Sequence, residues 1–433
     1  MIRSPVRSPN QYLFGWDRIY LGTVMATYLS YALEAPIRYG LQLVGGASLL
    51  YLRDLFSTIV VALACASWFA GQASAAPIIA VMVVLIAHTL IGVLSLPTEF
   101  QALFGLKMHL PFLLGFVAAP LIATHRRGLV AFTTFVFVTG AIGVGLNTVV
   151  EYPWIGAEYE TAFGTTSAAR QWWAAGGALR LPGFTRASFS AAAVMLVSVV
   201  PLVACRVNVL VKAVLIGIAG YVIVLTTSKG AIMAIATFAI DVFLSTGLRM
   251  RAVANAFVIT IALVCLAVPL LSIQLGFNAT SVPMWFGSFM ERILDMWPKA
   301  FGLMDYAGQA LWGRGTGGIG TAQTYGEPLL INAADNLFVY LIVSFGILGV
   351  AYVAVFLVKL LSYTQGLPST DLMFRCVRGW AVVWLTYGLT ANMIEEAAIN
   401  LPAGVAFGIV FGMLDAHRND RVLERLPAFD VAS

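Results

Sequence analysis

Long apolar runs alternate with short polar intervals along this chain, and each run is long enough to cross a bilayer at about 20 residues per crossing. The runs fall near 19–35, 42–69, 77–96, 110–124, 129–149, 188–206, 208–227, 230–247, 253–275, 336–359, 379–395 and 400–415. The pattern predicts an all-α polytopic integral membrane protein of about twelve transmembrane helices, a single transmembrane domain over residues 1–433. Arg3, Arg7 and Arg18 precede the first run as in a secretory signal, but more runs follow, so it reads as an uncleaved first span.

The Lys/Arg bias of short loops sets the orientation of such a chain. With the N-terminus inside, the cytoplasmic loops carry Arg3, Arg7, Arg18, Arg126, Arg127, Arg206, Lys212, Arg249, Arg251, Lys359, Arg375, Arg378, Arg418, Arg421 and Arg425, on the shorter total loop length. Both termini are then cytoplasmic, and two long loops, 150–187 and 276–335, lie outside. The second run contains Arg53 and Asp54, which are costly at that depth unless paired. A mutually neutralising or interfacial pair is the favoured reading.

The first outer loop holds Glu151, Glu158, Glu160, Arg170, Arg180 and Arg186 among Tyr152, Trp154, Trp172 and Trp173, aromatics of the kind that line a membrane interface. In the second, the run Phe286–Met304 has a helical period. Phe289, Ile293, Met296, Trp297 and Ala300 share an apolar face, while Arg292, Asp295 and Lys299 share a polar one, which predicts an amphipathic helix in the interface plane. Arg292 has no acidic partner in view except Asp295. The stretch Trp312–Gly320 fits G-x-G-x-x-G, but no strand precedes it, so a nucleotide site is rejected. Its glycines either bring Arg314 close to a ligand or form a flexible connector.

Composition sharpens this picture. At 60% hydrophobic and 10% charged residues, with mean hydropathy +0.89, a soluble globular domain is excluded. The net charge of +5 is spread over short loops and does not argue for nucleic acid. Cys65, Cys205, Cys265 and Cys376 lie in or beside apolar runs with no close spacing, so neither a disulfide framework nor a metal site is indicated. Arginine holds phosphate through a planar, always-ionised fork. Arg180, Lys229, Arg292 and Arg314 sit on the outer side, against the inside bias of positive charge.

Four places then carry a likeness to a known family. They are Arg180-Leu181-Pro182-Gly183-Phe184, Thr226-Thr227-Ser228-Lys229-Gly230, Arg292 followed by the Gly-rich turn, and Asp335-Asn336 opening the run that ends Phe345-Gly346-Ile347-Leu348-Gly349. Over about 180–350 the chain resembles the O-antigen ligase and Wzy-type polysaccharide polymerase superfamily of bacterial inner membranes. The resemblance implies a metal-independent glycosyltransferase, without cofactor, acting at the periplasmic face on glycans linked to undecaprenyl pyrophosphate. It implies Arg180 and Arg292 as phosphate binders, with Lys229, Arg314 and Asn336 contacting substrate, and membrane lipids, a chain-length regulator and a flippase as partners. Ligases have histidine before the asparagine, whereas this chain has Asp335-Asn336. Its histidines, His88, His109, His125 and His417, lie outside both long loops. The departure favours a polymerase of exopolysaccharide or O-antigen repeat units over a ligase. Asp335 is then either the general base or the N-cap of the following helix, and the roles are compatible; Glu327, Glu395 and Glu396 are the carboxylates next in line. A transporter or flippase is the rival class. Its coupling groups belong near the midplane, where only Asp54 and Asp241 are candidates.

Overall fold

The computed structural model describes residues 16–67, 76–161, 164–174, 177–247, 250–272, 287–305, 307–366 and 371–424. Arg3, Arg7, Arg249, Arg425 and positions 276–286 lie outside the described residues, as do the side chains of Arg18, His417, Arg418 and Arg421.

The chain is predominantly helical. Its helices run in order α1 (Trp16–Ala32), α2 (Glu34–Leu43), α3 (Tyr51–Ser67), α4 (Ala76–Ser95), α5 (Glu99–Met108), α6 (Leu110–Thr124), α7 (Arg126–Leu146), α8 (Ser188–Ala204), α9 (Val209–Leu225), α10 (Lys229–Val242) and α11 (Arg251–Ser272). They continue with α12 (Gly287–Glu291), α13 (Trp297–Phe301), α14 (Ala307–Trp312), α15 (Leu337–Phe345), α16 (Ile347–Gly366), α17 (Leu372–Tyr387) and α18 (Ala397–Glu424). Among the described residues, six segments are long and apolar enough to cross a membrane: Ala47–Ala66, Pro77–Ser95, Glu99–Thr124, Arg126–Leu146, Arg251–Ser272 and Ile347–Gln365. Ser188–Ala204, Val209–Leu225 and Ala397–Gly412 are shorter apolar helices. These are the helices of a membrane protein.

Several apolar runs are subdivided, because hydropathy does not register backbone breaks. The run 336–359 splits at Gly346, whose φ is +64° and whose missing Cβ makes room for the backbone of Leu311 and Trp312. The run 42–69 is broken between Leu43 and Ala47 and enters α3 through a 3-10 turn, Ala47–Leu50, which puts Arg53 and Asp54 near the start of the helix. The run 379–395 ends as helix at Tyr387, leaving 388–396 as an irregular connection that carries Glu395 and Glu396. One departure from an all-α architecture stands in the first long loop. There β1 (Glu158–Thr161) and β2 (Gly164–Ser167) pair antiparallel, with Tyr159 opposite Thr166.

Polar caps mark some of the helix starts. Asn208 accepts from Val211 N at 2.8 Å to open α9, and Asp371 accepts from Met373 N at 2.8 Å to open α17. In the core, α6 and α18 touch through their backbones at Gly115 and Gly404, the small-residue contact typical of helices packed in lipid. Phe356 and Phe407 stack beside that seam with ring centroids 3.7 Å apart.

The two ends of the bundle differ in kind. At one, Arg126 pairs with Asp371 at 2.7 Å, Arg375 donates to Ala204 O at 3.1 Å, and Arg378 clasps Asp241 at 2.7 Å. Arg378 therefore belongs to a buried ion pair, 4% exposed, and not to a solvated loop. Asp241 is neutralised by it, as a buried acid must be. At the other end, the loops open into a cavity.

Candidate functional site

The cavity encloses about 1090 Å³. The ends of α1, α5, α9 and α17, the starts of α3, α8, α10 and α18, helix α2 and both long loops form its wall. Arg180, Lys229, Arg292 and Asp335, which lie up to 155 residues apart in sequence, all line it.

Each is held by local structure with a readable cause. Gly183 takes φ +58° and donates from its N–H to Asn147 Oδ1 at 3.2 Å, while Phe184 fills the space over Gly143. Tyr152 and Trp154 stack at 4.5 Å, and Trp154 Nε1 donates to Gly183 O at 3.0 Å. These aromatics serve to fasten the Arg180–Arg186 stretch to α7 rather than to form a membrane belt. Trp172 and Trp173 are the exposed pair, and Arg170 lies over the Trp172 ring at 5.1 Å.

Arg292 begins a π turn, Arg292–Met296, between α12 and α13. The wider turn breaks the simple helical register, as π turns at functional sites commonly do. Ile293, Trp297 and Ala300 are buried as expected, and Lys299 pairs with Asp295 at 2.7 Å. Arg292 faces away from that pair. Its Nε and a terminal nitrogen donate to Asp335 Oδ2 at 3.1 and 2.8 Å, and the other terminal nitrogen donates to Ser288 O at 2.9 Å.

Asn332 brings the two together. Its Nδ2 donates to Met296 O at 2.7 Å and its Oδ1 accepts from Ala334 N at 2.8 Å, so the turn before α15 is tied to the π turn. Among the described residues three non-glycines have positive φ: Thr227 at +58°, Ala334 at +61° and Asp335 at +42°. Thr227 and Asp335 line the cavity, and Ala334 lies between the lining residues Ala333 and Asp335. Left-handed backbone at a β-branched residue is strained, and such strain gathers at functional sites.

Two sequence candidates fall elsewhere. Asn336, not Asp335, is the N-cap of α15: its Oδ1 accepts from Phe338 N and Val339 N at 2.7 and 3.0 Å, and it is fully buried. Its amide is spent on backbone, so it contacts no cavity ligand. Arg314 is also buried, donating to Glu327 Oε1 at 2.6 Å and to Gly318 O at 2.7 Å. Burial pushes Glu327 up, but hydrogen bonds from Arg314 and Gln101 outweigh it and hold the carboxyl below its usual range. The Gly-rich turn is thus neither a ligand cradle nor a loose connector. It is wedged against α4 and α5, where a Cβ on Gly315 would strike the Gly92 backbone and one on Gly105 the Gly317 backbone.

The structure adds partners that the sequence reading passed over. Arg38, Arg53, Lys107, Arg170 and Arg186 line the same cavity, giving eight cationic side chains against the five carboxylates Glu34, Asp54, Asp335, Glu395 and Glu396. Arg53 and Asp54 do pair, at 3.3 Å, but within a larger network: Lys107 meets Asp54 at 2.8 Å and Arg38 meets Glu34 at 2.5 Å. The signal was available, since Arg38, Lys107, Arg170 and Arg186 are also basic residues that the charge rule leaves out of the cytoplasmic set. Arg180 Nε, Arg186 Nε and Thr227 Oγ1 are buried atoms on cavity residues with no hydrogen-bond partner in the protein. Burial pushes Arg170 and Arg186 below the usual guanidinium value. An anion among them would relieve that cost.

The acidic groups sit between cations. Glu395 accepts from Thr321 N at 2.8 Å and Thr321 Oγ1 at 2.6 Å, and burial pushes its carboxyl up. Glu396 accepts from Ser190 Oγ at 2.9 Å, and burial pushes it up to about 7. Ser228 Oγ and Tyr387 OH lie 3.2 Å apart beside Lys229. Among the described residues no histidine lines the cavity, and no cluster of His, Cys, Asp or Glu could hold a metal.

No family model matches this chain, and no curated protein matches it either.

Proposed function

We propose that this chain polymerises oligosaccharide repeat units carried on undecaprenyl pyrophosphate, at the periplasmic face of a bacterial inner membrane. The observation that carries the reading is the single cavity in which Arg180, Lys229 and Arg292 meet, with a cationic excess and buried donor atoms on Arg180 and Arg186 that have no protein partner. A diphosphate is the ligand such a wall suits, since guanidinium forks bind phosphate oxygens in pairs and the leaving group carries the growing charge. Four of the eight cations form two ion-paired groups. Arg292, on Asp335, is one; Arg38, Arg53 and Lys107, threaded with Glu34 and Asp54, are the other. Two lipid-linked substrates, donor and acceptor, would use both.

The membrane arrangement follows from the same end-to-end contrast. Following the chain from end to end supports twelve crossings: α1, α3, α4, α5 with α6, α7, α8, α9, α10, α11, α15 with α16, α17 and α18. Arg126, Arg206, Lys212, Arg375 and Arg378 gather at the end away from the cavity, which supports cytoplasmic placement of that end and of both termini. A ligase reading is weaker here, because the cavity wall has Asp335 where ligases have histidine.

The test is to delete the gene in the source bacterium and analyse its polyprenyl lipids by mass spectrometry. Single oligosaccharide units on a pyrophosphate carrier, with loss of long polymer, are expected. Long polymer at normal level would remove the reading.

A further inference from the structure

We propose that Glu396 accepts the proton of the attacking sugar hydroxyl, an inference that rests on the transfer reading above. The reaction needs no oxidant or metal. The acceptor's hydroxyl oxygen bonds to the donor's anomeric carbon, the bond from that carbon to the pyrophosphate oxygen breaks, and its electron pair leaves on the lipid pyrophosphate. The hydroxyl proton must go to a base on the cavity wall and from there to water.

Geometry separates the candidates. Asp335 Oδ2 receives both of its bonds from Arg292, so this carboxylate aims the guanidinium at the cavity and acts as a positioning residue. Glu395 is engaged at both oxygens by Thr321. Glu396 lies on the wall in the connection before α18, only 9% exposed, and no ion pair with a lysine or arginine is formed by it among the described residues. One oxygen takes the Ser190 hydroxyl at 2.9 Å, and the Ala398 N–H also bonds the carboxylate. A purely capping role for the side chain is poorly served by glutamate, which is not among the favoured capping residues.

The titratable groups that face Glu396 come from several elements: the neutral phenols of Tyr28 and Tyr31 of α1 and Tyr387 of α17, and the charged Glu34 of α2 and Arg170 of the first loop. Burial and Glu34 together disfavour its anion, and only the neutral Ser190 and Ala398 donors and the more distant Arg170 oppose them. A carboxyl poised near neutrality exchanges protons most effectively at physiological pH.

The experiment uses full-length protein in membranes, and as substrate the lipid-linked oligosaccharide extracted from cells lacking the gene. Wild-type rate should rise with pH along a limb centred near 7. Glu396→Gln, which keeps the Ser190 bond, should lose about 10²–10⁴-fold in kcat at unchanged abundance and lose the limb. Glu396→Asp should recover part of the rate, and Asp335→Asn should be slower yet keep the limb. Wild-type rate in Glu396→Gln overturns the proposal while leaving the transfer reading intact. Failure of the deletion cells to accumulate lipid-linked oligosaccharide overturns the transfer reading and this proposal with it. Should Glu396→Gln not insert, a wild-type rate flat between about pH 5.5 and 8 overturns the assignment.

Discussion

Arg292 and Asp335, 43 residues apart, meet through two hydrogen bonds to one oxygen, Asp335 Oδ2, at 2.8 and 3.1 Å. Both side chains keep surface, 20% and 30% exposed, so the pair is formed and still reachable from the cavity. The pairing fixes the direction of the guanidinium, and each terminal nitrogen keeps one N–H beyond its bond to Asp335 or Ser288. Arg292→Ala should therefore abolish long polymer with the protein still inserted, and Arg292→Lys should restore only part of it, because the ammonium cannot fork. Polymer length on a gel, set against abundance on a blot, checks this.

Arg180 and Arg314 give a contrast within one residue type. Arg180 Nε has no protein partner, so Arg180→Ala should leave abundance unchanged and remove polymer. Arg314 sits at 6% exposure on Glu327, and removing it strands a buried carboxylate at a cost of about 3–5 kcal/mol. Arg314→Ala should lower abundance and melting temperature together, whatever it does to activity.

Gly315→Ala offers a separate check on the Gly-rich turn. With φ at +88° and the Gly92 backbone against its Cβ position, any side chain displaces α4. Folded protein in membranes should fall sharply; normal amounts would mean that the turn is not wedged there.

Glu396 also links stability to pH. The folded carboxyl titrates near 7, above the ordinary glutamate value of about 4.3. The folded chain thus holds a proton that the unfolded chain has released between those values. That contribution is complete below about 4.3 and is lost as pH rises through about 7. In detergent, melting temperature should fall more between about pH 5 and 8 for wild type than for Glu396→Gln.

Orientation is checked by reporter fusions. Those after Arg127, Arg251 and Arg418 should report cytoplasm, and those near Ala168 and Thr321 periplasm. The reverse pattern would put the cavity on the wrong side for a lipid-linked substrate.

Several of the apolar runs are legible because hydropathy reads length, and the cavity-lining Arg180, Lys229 and Arg292 are legible because they fall outside the loops that the charge rule would make cytoplasmic. The Arg292 partner was not, since it depends on a π turn and on Asn332 bridging to Met296 O, neither of which leaves a periodic trace. The burial of Asn336 and Arg314 is illegible for a related reason: a polar residue in a loop looks the same in sequence whether it faces a cavity or is spent on backbone and Glu327. Glu396 is visible in sequence as a spare carboxylate, but its place on the cavity wall is not, because it follows directly on the apolar run 379–395, whose helix stops at Tyr387.

The most direct measurement is the binding of undecaprenyl pyrophosphate to the full-length protein in nanodiscs. Wild type should bind saturably, and Arg180→Ala and Arg292→Ala should each weaken binding about tenfold or more, the loss expected for a charge-assisted hydrogen bond. Equal affinity in wild type and the double variant would contradict the claim that this cavity holds a lipid pyrophosphate.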